Sequence, residues 1–166
     1  MKQYKIGINL PSSTNLTSLE TELDRIERGG FDACEINLSA VPLIIGGEVR
    51  KQTADYVKGI LDRHDLQYTA HASYGLDLRN LEEHEMQRAV LFSSIDVCAV
   101  LGLDLLNLHY EMQSDDAARE EAFFQAHLAA AEYASKKGVQ LSIENIEVEY
   151  VYKTADFARA VNHSNL

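Results

Sequence analysis

Five times along this chain a short apolar run is followed by an amphipathic helical stretch, and the last three runs begin at Gln67, Leu103 and Val139, an even interval of 36 residues. Regular βα alternation points to parallel strands joined by crossover helices. The strands are expected at Tyr4–Leu10, Phe31–Leu38, Gln67–His71, Leu103–Tyr110 and Val139–Ile146. Between them, Leu19, Leu23 and Ile26 form a helical stripe ending at Gly29-Gly30, and Tyr56, Ile60 and Leu61 form a second after a Gly46-Gly47 loop. Asn80 and Glu83 have capping-box spacing ahead of Met86, Val90, Val97 and Leu101. A fourth helix is expected from about Ser114, burying Phe124, Leu128 and Ala131, and a fifth from Thr154 to about Asn162.

Successive residues of a strand face opposite sides, and here the two sides differ. Cys34, Ile36 and Leu38 oppose Glu35 and Asn37; Ala70 opposes His71; Leu106 and Leu108 oppose Asn107 and His109; Leu141 and Ile143 oppose Ser142 and Glu144. A doubly wound sheet, covered by helices on both faces, would be apolar on both. One apolar face and one polar face, with the polar groups at the strand ends, suits a barrel whose C-terminal rim carries the site. Five strands would also suffice for a flavodoxin-like domain, but the turn from Asn9 to Leu16 contains no glycine and cannot cradle a phosphate as a G-x-G-x-x-G turn does. The fold class expected is α/β, a parallel TIM-barrel type that is incomplete, with five of eight βα units in a single domain spanning residues 1–166.

Composition excludes some functions. With 15 Lys and Arg against 26 Asp and Glu, the formal charge is −11, and no basic cluster exists beyond the pairs Arg50-Lys51 and Lys136-Lys137. That argues against a nucleic-acid partner, which requires clustered cations to displace counterions. Cys34 and Cys98 are isolated in apolar company and read as buried thiols of a reducing compartment. No stretch approaches the length of a membrane span, and Met1 to Pro11 has no apolar leader core. A cytoplasmic location is expected.

His71, His109 and Glu144 each close a strand on the polar parity. The strand interval gathers them at one rim, and two imidazoles with a carboxylate suit Zn, Mn or Fe. Glu35 and the amides Asn9, Asn37, Asn107 and Asn145 are candidates for the surrounding shell or for contact with a polyhydroxy substrate. His64, His84, His127 and His163 lie on helices or at their ends and read as solvated or packing positions. Tyr150 and Tyr152 read as a cover over the rim.

The segments Gly30-Phe31-Asp32-Ala33-Cys34-Glu35-Ile36-Asn37, Ala70-His71-Ala72-Ser73-Tyr74, Leu106-Asn107-Leu108-His109 and Ile143-Glu144-Asn145 resemble the xylose isomerase-like barrels. That superfamily includes sugar-phosphate isomerases and epimerases, inosose dehydratase-like proteins and endonuclease IV-type nucleases. The resemblance implies a divalent metal (Zn, Mn, Mg or Fe) on His71, His109 and Glu144. It also implies a sugar or sugar-phosphate isomerase or epimerase that moves a proton through a metal-stabilised enediolate, with Glu144 and Glu35 as the catalytic carboxylates. The run from His71 through Tyr74 and Leu78 to Asn80 is similar to the nuclease branch, so an abasic-site nuclease is the alternative. A further alternative is a catalytically inactive, truncated barrel. Family barrels draw further metal ligands from later strands, whereas this sequence stops at Leu166, after the fifth helix. Activity is therefore expected only if the remaining half of the barrel is supplied, for which a homo-oligomer is one route.

Overall fold

The computed structural model describes residues 4–110, 113–146 and 151–166. Five parallel strands, β1 (Gly7–Asn9), β2 (Ala33–Asn37), β5 (Gln67–His71), β6 (Leu105–Tyr110) and β7 (Gln140–Asn145), lie side by side in that order. The helices α1 (Leu19–Arg28), α2 (Lys51–Leu61), α3 (His84–Leu101), α4 (Ala117–Lys137) and α5 (Val151–Val161) follow them in sequence. Between β2 and α2 a two-stranded antiparallel hairpin, β3 (Ile44–Ile45) and β4 (Glu48–Val49), turns at Gly46 and Gly47. Both turn residues have positive φ, +61° and +77°, as a tight two-residue hairpin turn requires. The sequence reading had only a loop here, although paired β-formers around Gly-Gly carry that signal.

The apolar parity lies against the helices. Cys34, Ile36, Ala70, Leu106, Leu108 and Leu141 are buried, packed with Leu19, Leu23 and Ile26 of α1, Ala54, Val57 and Ile60 of α2, and Leu91, Ile95 and Cys98 of α3. Both thiols are free and buried, and burial pushes each up to about 12, far from the thiolate that reactivity needs. Gly102 and Gly138 close α3 and α4 at their expected places.

Three helices depart from expectation. α3 starts at His84, because the Asn80 side chain accepts from the Glu82 and Glu83 amides and builds a turn ahead of the helix; Met86 is left exposed. α4 starts at Ala117, capped by Asp116, whose carboxylate accepts from the Ala118 amide. Its buried face is Phe123, Ala126, His127, Ala130, Ala131 and Ala134, so Phe124 and Leu128 are only half-buried. α5 is already helical at Val151.

Register fixes what the rim can assemble. Across the sheet Asn9 aligns with Glu35, and Asn37 with His71. His71 in turn aligns with Asn107, Asn107 with Ser142, and His109 with Glu144. The polar parity is therefore continuous from β1 to β7.

Among the described residues β1 and β7 are not paired with each other, and the sheet is open. The turn after α5 lies beside β7: the Leu141 amide donates to the Asn165 carbonyl at 2.9 Å, and the Asn165 side-chain amide donates to the Val139 carbonyl.

Candidate metal centre

His71 ends β5 and is nearly buried. Its Nδ1 lies 2.9 Å from the carbonyl of Ala72, a contact that only a protonated Nδ1 can make favourable. In the neutral ring this leaves Nε2 as a bare lone pair. That atom faces His109 Nε2 at 2.9 Å, with the rings edge to face. Glu144 Oε2 stands 3.9 Å from His71 Nε2. His71, His109 and Glu144 thus present one donor atom each within 4.8 Å of one another. A hydrogen bond between the rings requires His109 to carry its proton on Nε2; with that proton on Nδ1 instead, two lone pairs face one another and a cation between them would satisfy both. The donor set fits a divalent metal.

Burial lowers the His109 imidazole below its ordinary value, the neighbouring His71 adds to this, and Glu144 opposes it. A neutral imidazole is the form that ligates. Asn107 does not line the cleft: its side-chain amide donates to Glu144 Oε2 at 2.8 Å and holds the carboxylate, while its Oδ1 is buried without a partner. Its place is in the shell behind the ligands.

The cleft in front of these residues encloses about 210 Å3 and is lined by Asn9, Leu10, Ser12, Glu35, Asn37, Tyr74 and the three ligand candidates. Glu35 is half-buried; burial raises its carboxyl above the ordinary range, with His71 opposing and Glu144 adding to the rise. Asn37 also accepts from the Ser39 amide at 2.8 Å, and Ser39 Oγ accepts from the Tyr74 amide at 3.0 Å, so the loops after β2 and β5 are tied together beside the cleft. Asn145 stands on the opposite parity from Glu144 and is absent from this lining. Tyr152 is 82 % exposed and also lies outside the lining; Tyr150 is outside the described residues. Ser12 and Tyr74 were missed as site residues. Both sit in loops just past strand ends; that position was the only signal for Ser12, whereas Tyr74 also stands in the family-like run that begins at Ala70.

A larger hollow of about 750 Å3 lies between α4 and α5, lined by Tyr110, Phe124 and Phe157 among others. Among the described residues its lining contains no imidazole, and its carboxylates include Glu120, bound to Arg79, and Asp156, bound to Arg159. The three candidate ligands gather in the smaller cleft. Among the described residues no helix is long and apolar enough to cross a membrane.

Residues 23–166 match the model of the xylose isomerase-like TIM barrel family, and the chain belongs to that family. A search of curated proteins found no match. Solved structures share the fold. The chain superposes on a xylose isomerase domain protein from Planctomyces limnophilus with a TM-score of 0.75 at 16 % identity, covering 100 % of this chain and 63 % of that one. For the D-allulose 3-epimerase from Methylomonas sp. in complex with D-allulose the values are 0.77, 16 %, 99 % and 61 %. For a xylose isomerase-like TIM barrel protein from Mycobacterium smegmatis in complex with magnesium they are 0.75, 17 %, 98 % and 63 %. The chain therefore spans about three-fifths of the length of these barrels.

Proposed function

We propose that the rim cleft is the divalent-cation site of a sugar isomerase or epimerase, and that Glu35 is its proton-transferring carboxylate. The observation that carries this reading is the convergence of two imidazole Nε2 atoms, 2.9 Å apart, with a carboxylate held by Asn107. His71, His109 and Glu144 would hold the ion. When bound, such an ion polarises a substrate oxygen and stabilises negative charge developing on it.

The chain's own groups supply the rest. Glu35 shares the cleft with the ligands, and its raised proton affinity brings it closer to the value a general acid–base group needs near neutral pH. Asn9, Asn37 and Ser12 offer amide and hydroxyl groups suited to sugar hydroxyls. Support for a sugar comes from the epimerase neighbour bound to D-allulose, and for the cation from the neighbour bound to magnesium. The −11 charge fits a small uncharged ligand better than a polyanion.

The test is deuterium exchange. With the remaining strands of the barrel supplied, Mg2+ or Mn2+ and D-allulose in D2O, mass spectrometry is expected to show deuterium entering beside the carbonyl. Glu35→Gln should slow this by about 100- to 10,000-fold, the usual contribution of a general base, while leaving metal content unchanged. Metal-loaded protein with the barrel so completed that exchanges no proton of D-allulose, D-tagatose or D-fructose would count against the sugar reading.

A further inference from the structure

A second convergence of ligand-type side chains lies at the opposite end of the sheet. Asp24 and Glu27 are three residues apart on α1 and so share a face. His64 follows α2 in the segment that enters β5. Its ring is only 4 % exposed, and its Nδ1 is directed at both carboxylates, 3.0 Å from Glu27 Oε2 and 3.9 Å from Asp24 Oδ1. The three donors lie within 4.8 Å of one another.

The outer oxygens are already oriented. Glu27 Oε1 accepts from the Asp65 amide at 3.0 Å, and Asp24 Oδ2 faces Arg28 Nη2 at 3.7 Å, leaving one oxygen of each carboxylate turned toward His64. An Nδ1–H can donate to Glu27 or to Asp24 but cannot satisfy both. Tetrahedral ligands with bonds of about 2.0–2.2 Å stand about 3.3–3.6 Å apart, so the donors at 3.0 and 3.9 Å would need to move only by a few tenths of an ångström around an ion. Asp24 and Glu27 are open to solvent, 51 % and 39 % exposed, so water can complete the coordination.

We infer that Asp24, Glu27 and His64 form a second, structural divalent-cation site of the zinc type, cross-linking α1 to the segment that enters β5. It is independent of the rim cleft and of the activity proposed there. Such a cation would reinforce the nearby Arg63–Glu20 pair, which joins the same two elements at 2.6 Å. Because the ion binds the folded arrangement of three residues from two elements, it raises stability by mass action.

The experiment removes the rim ligands first. In a His109→Ala, Glu144→Ala variant, calorimetric titration with Zn2+ at pH 7.5 is expected to show one bound ion and a rise in the unfolding midpoint. Adding Asp24→Asn and Glu27→Gln, which keep acceptors for the Arg28 and Asp65 contacts, should abolish both. If either variant fails to fold, Co2+ added to the unaltered chain should shift the His64 ring protons in the NMR spectrum. No zinc in the rim-deleted variant, zinc binding untouched by the Asn and Gln substitutions, or unshifted His64 protons would each show that the cluster is an ion pair only.

Discussion

Replacing Glu120 with alanine is expected to destabilise the fold by about 3 kcal/mol, the cost of breaking a largely buried ion pair from one side. Arg79 is 3 % exposed, and its guanidinium meets Glu120 in a fork, Nε to Oε1 at 2.5 Å and Nη2 to Oε2 at 2.9 Å. The same guanidinium lies 3.6 Å from the centre of the Phe123 ring. Burial alone would raise the Glu120 carboxyl, but hydrogen bonds from Arg79 and the Ser114 amide hold it below its ordinary value. Urea unfolding should show the loss as a lower midpoint with an unchanged slope. Arg159→Ala, which removes a pair whose side chains are 75 % and 76 % exposed, should change stability by less than about 1 kcal/mol. An Arg79→Met, Glu120→Leu double variant should recover most of the loss, since an apolar pair leaves no charge stranded. A Glu120→Ala midpoint no lower than that of Arg159→Ala would contradict the assignment. The pair also ties the loop that begins just after His71 to the start of α4.

The second large effect is a dependence on acid. His127 is fully buried against Phe123 and Phe157, its Nδ1 on the Phe123 carbonyl and its Nε2 without a partner. Burial lowers the ring to about 4, against an opposing contribution from the Phe123 carbonyl and with the help of the Arg79 charge. The folded state therefore takes up this proton less readily than the unfolded chain, whose imidazole titrates near 6.5. His127 stays neutral in the fold at pH 7, and the associated stability is complete above about pH 6.5 and is lost as pH falls toward 4. The loss amounts to about 3 kcal/mol at 1.36 kcal/mol per pH unit. In His127→Leu this part of the acid slope should vanish, with a change at pH 7 of less than about 1.5 kcal/mol. Stability measured by denaturant titration at pH 7, 5.5 and 4.5 in both proteins distinguishes the two. Parallel slopes would show that His127 does not titrate as a buried group.

The strand layout was legible because period-2 alternation and even spacing survive any detail of packing. Gln67–His71 matches its expected limits, and the other strands are shortened only at their ends. The α4 face was not legible. Alanine and phenylalanine occupy several of its sides, so Phe124–Leu128 and Phe123–His127 are equally good helical stripes until α3, β7 and α5 choose between them. The same helix phase decides between the two readings of His127, solvated or packing, in favour of packing. At the rim, parity located His71, His109 and Glu144 together, and the structure brings their donors within reach. Parity also argued against Asn145, whose inclusion followed only from its amide chemistry. Ser12 and Tyr74 lie in loops, where no periodicity marks which way a side chain turns.

Position on the sheet separates the two proposed sites. His71, His109 and Glu144 close adjacent parallel strands, as expected of a barrel rim. Asp24, Glu27 and His64 sit where strands begin, the end that serves stability. Both depend on strand register and helix phase more than on any contiguous motif, which is why the ligands of each lie tens of residues apart.

Elemental mass spectrometry of chelator-free protein, run beside the His109→Ala, Glu144→Ala variant, tests the central claim most directly. A rim site predicts about one equivalent more Zn, Mn, Mg or Fe in the unaltered chain than in the variant, with the fold of both verified by circular dichroism. Equal metal content in the two proteins, or none in either after loading with each ion, would contradict it.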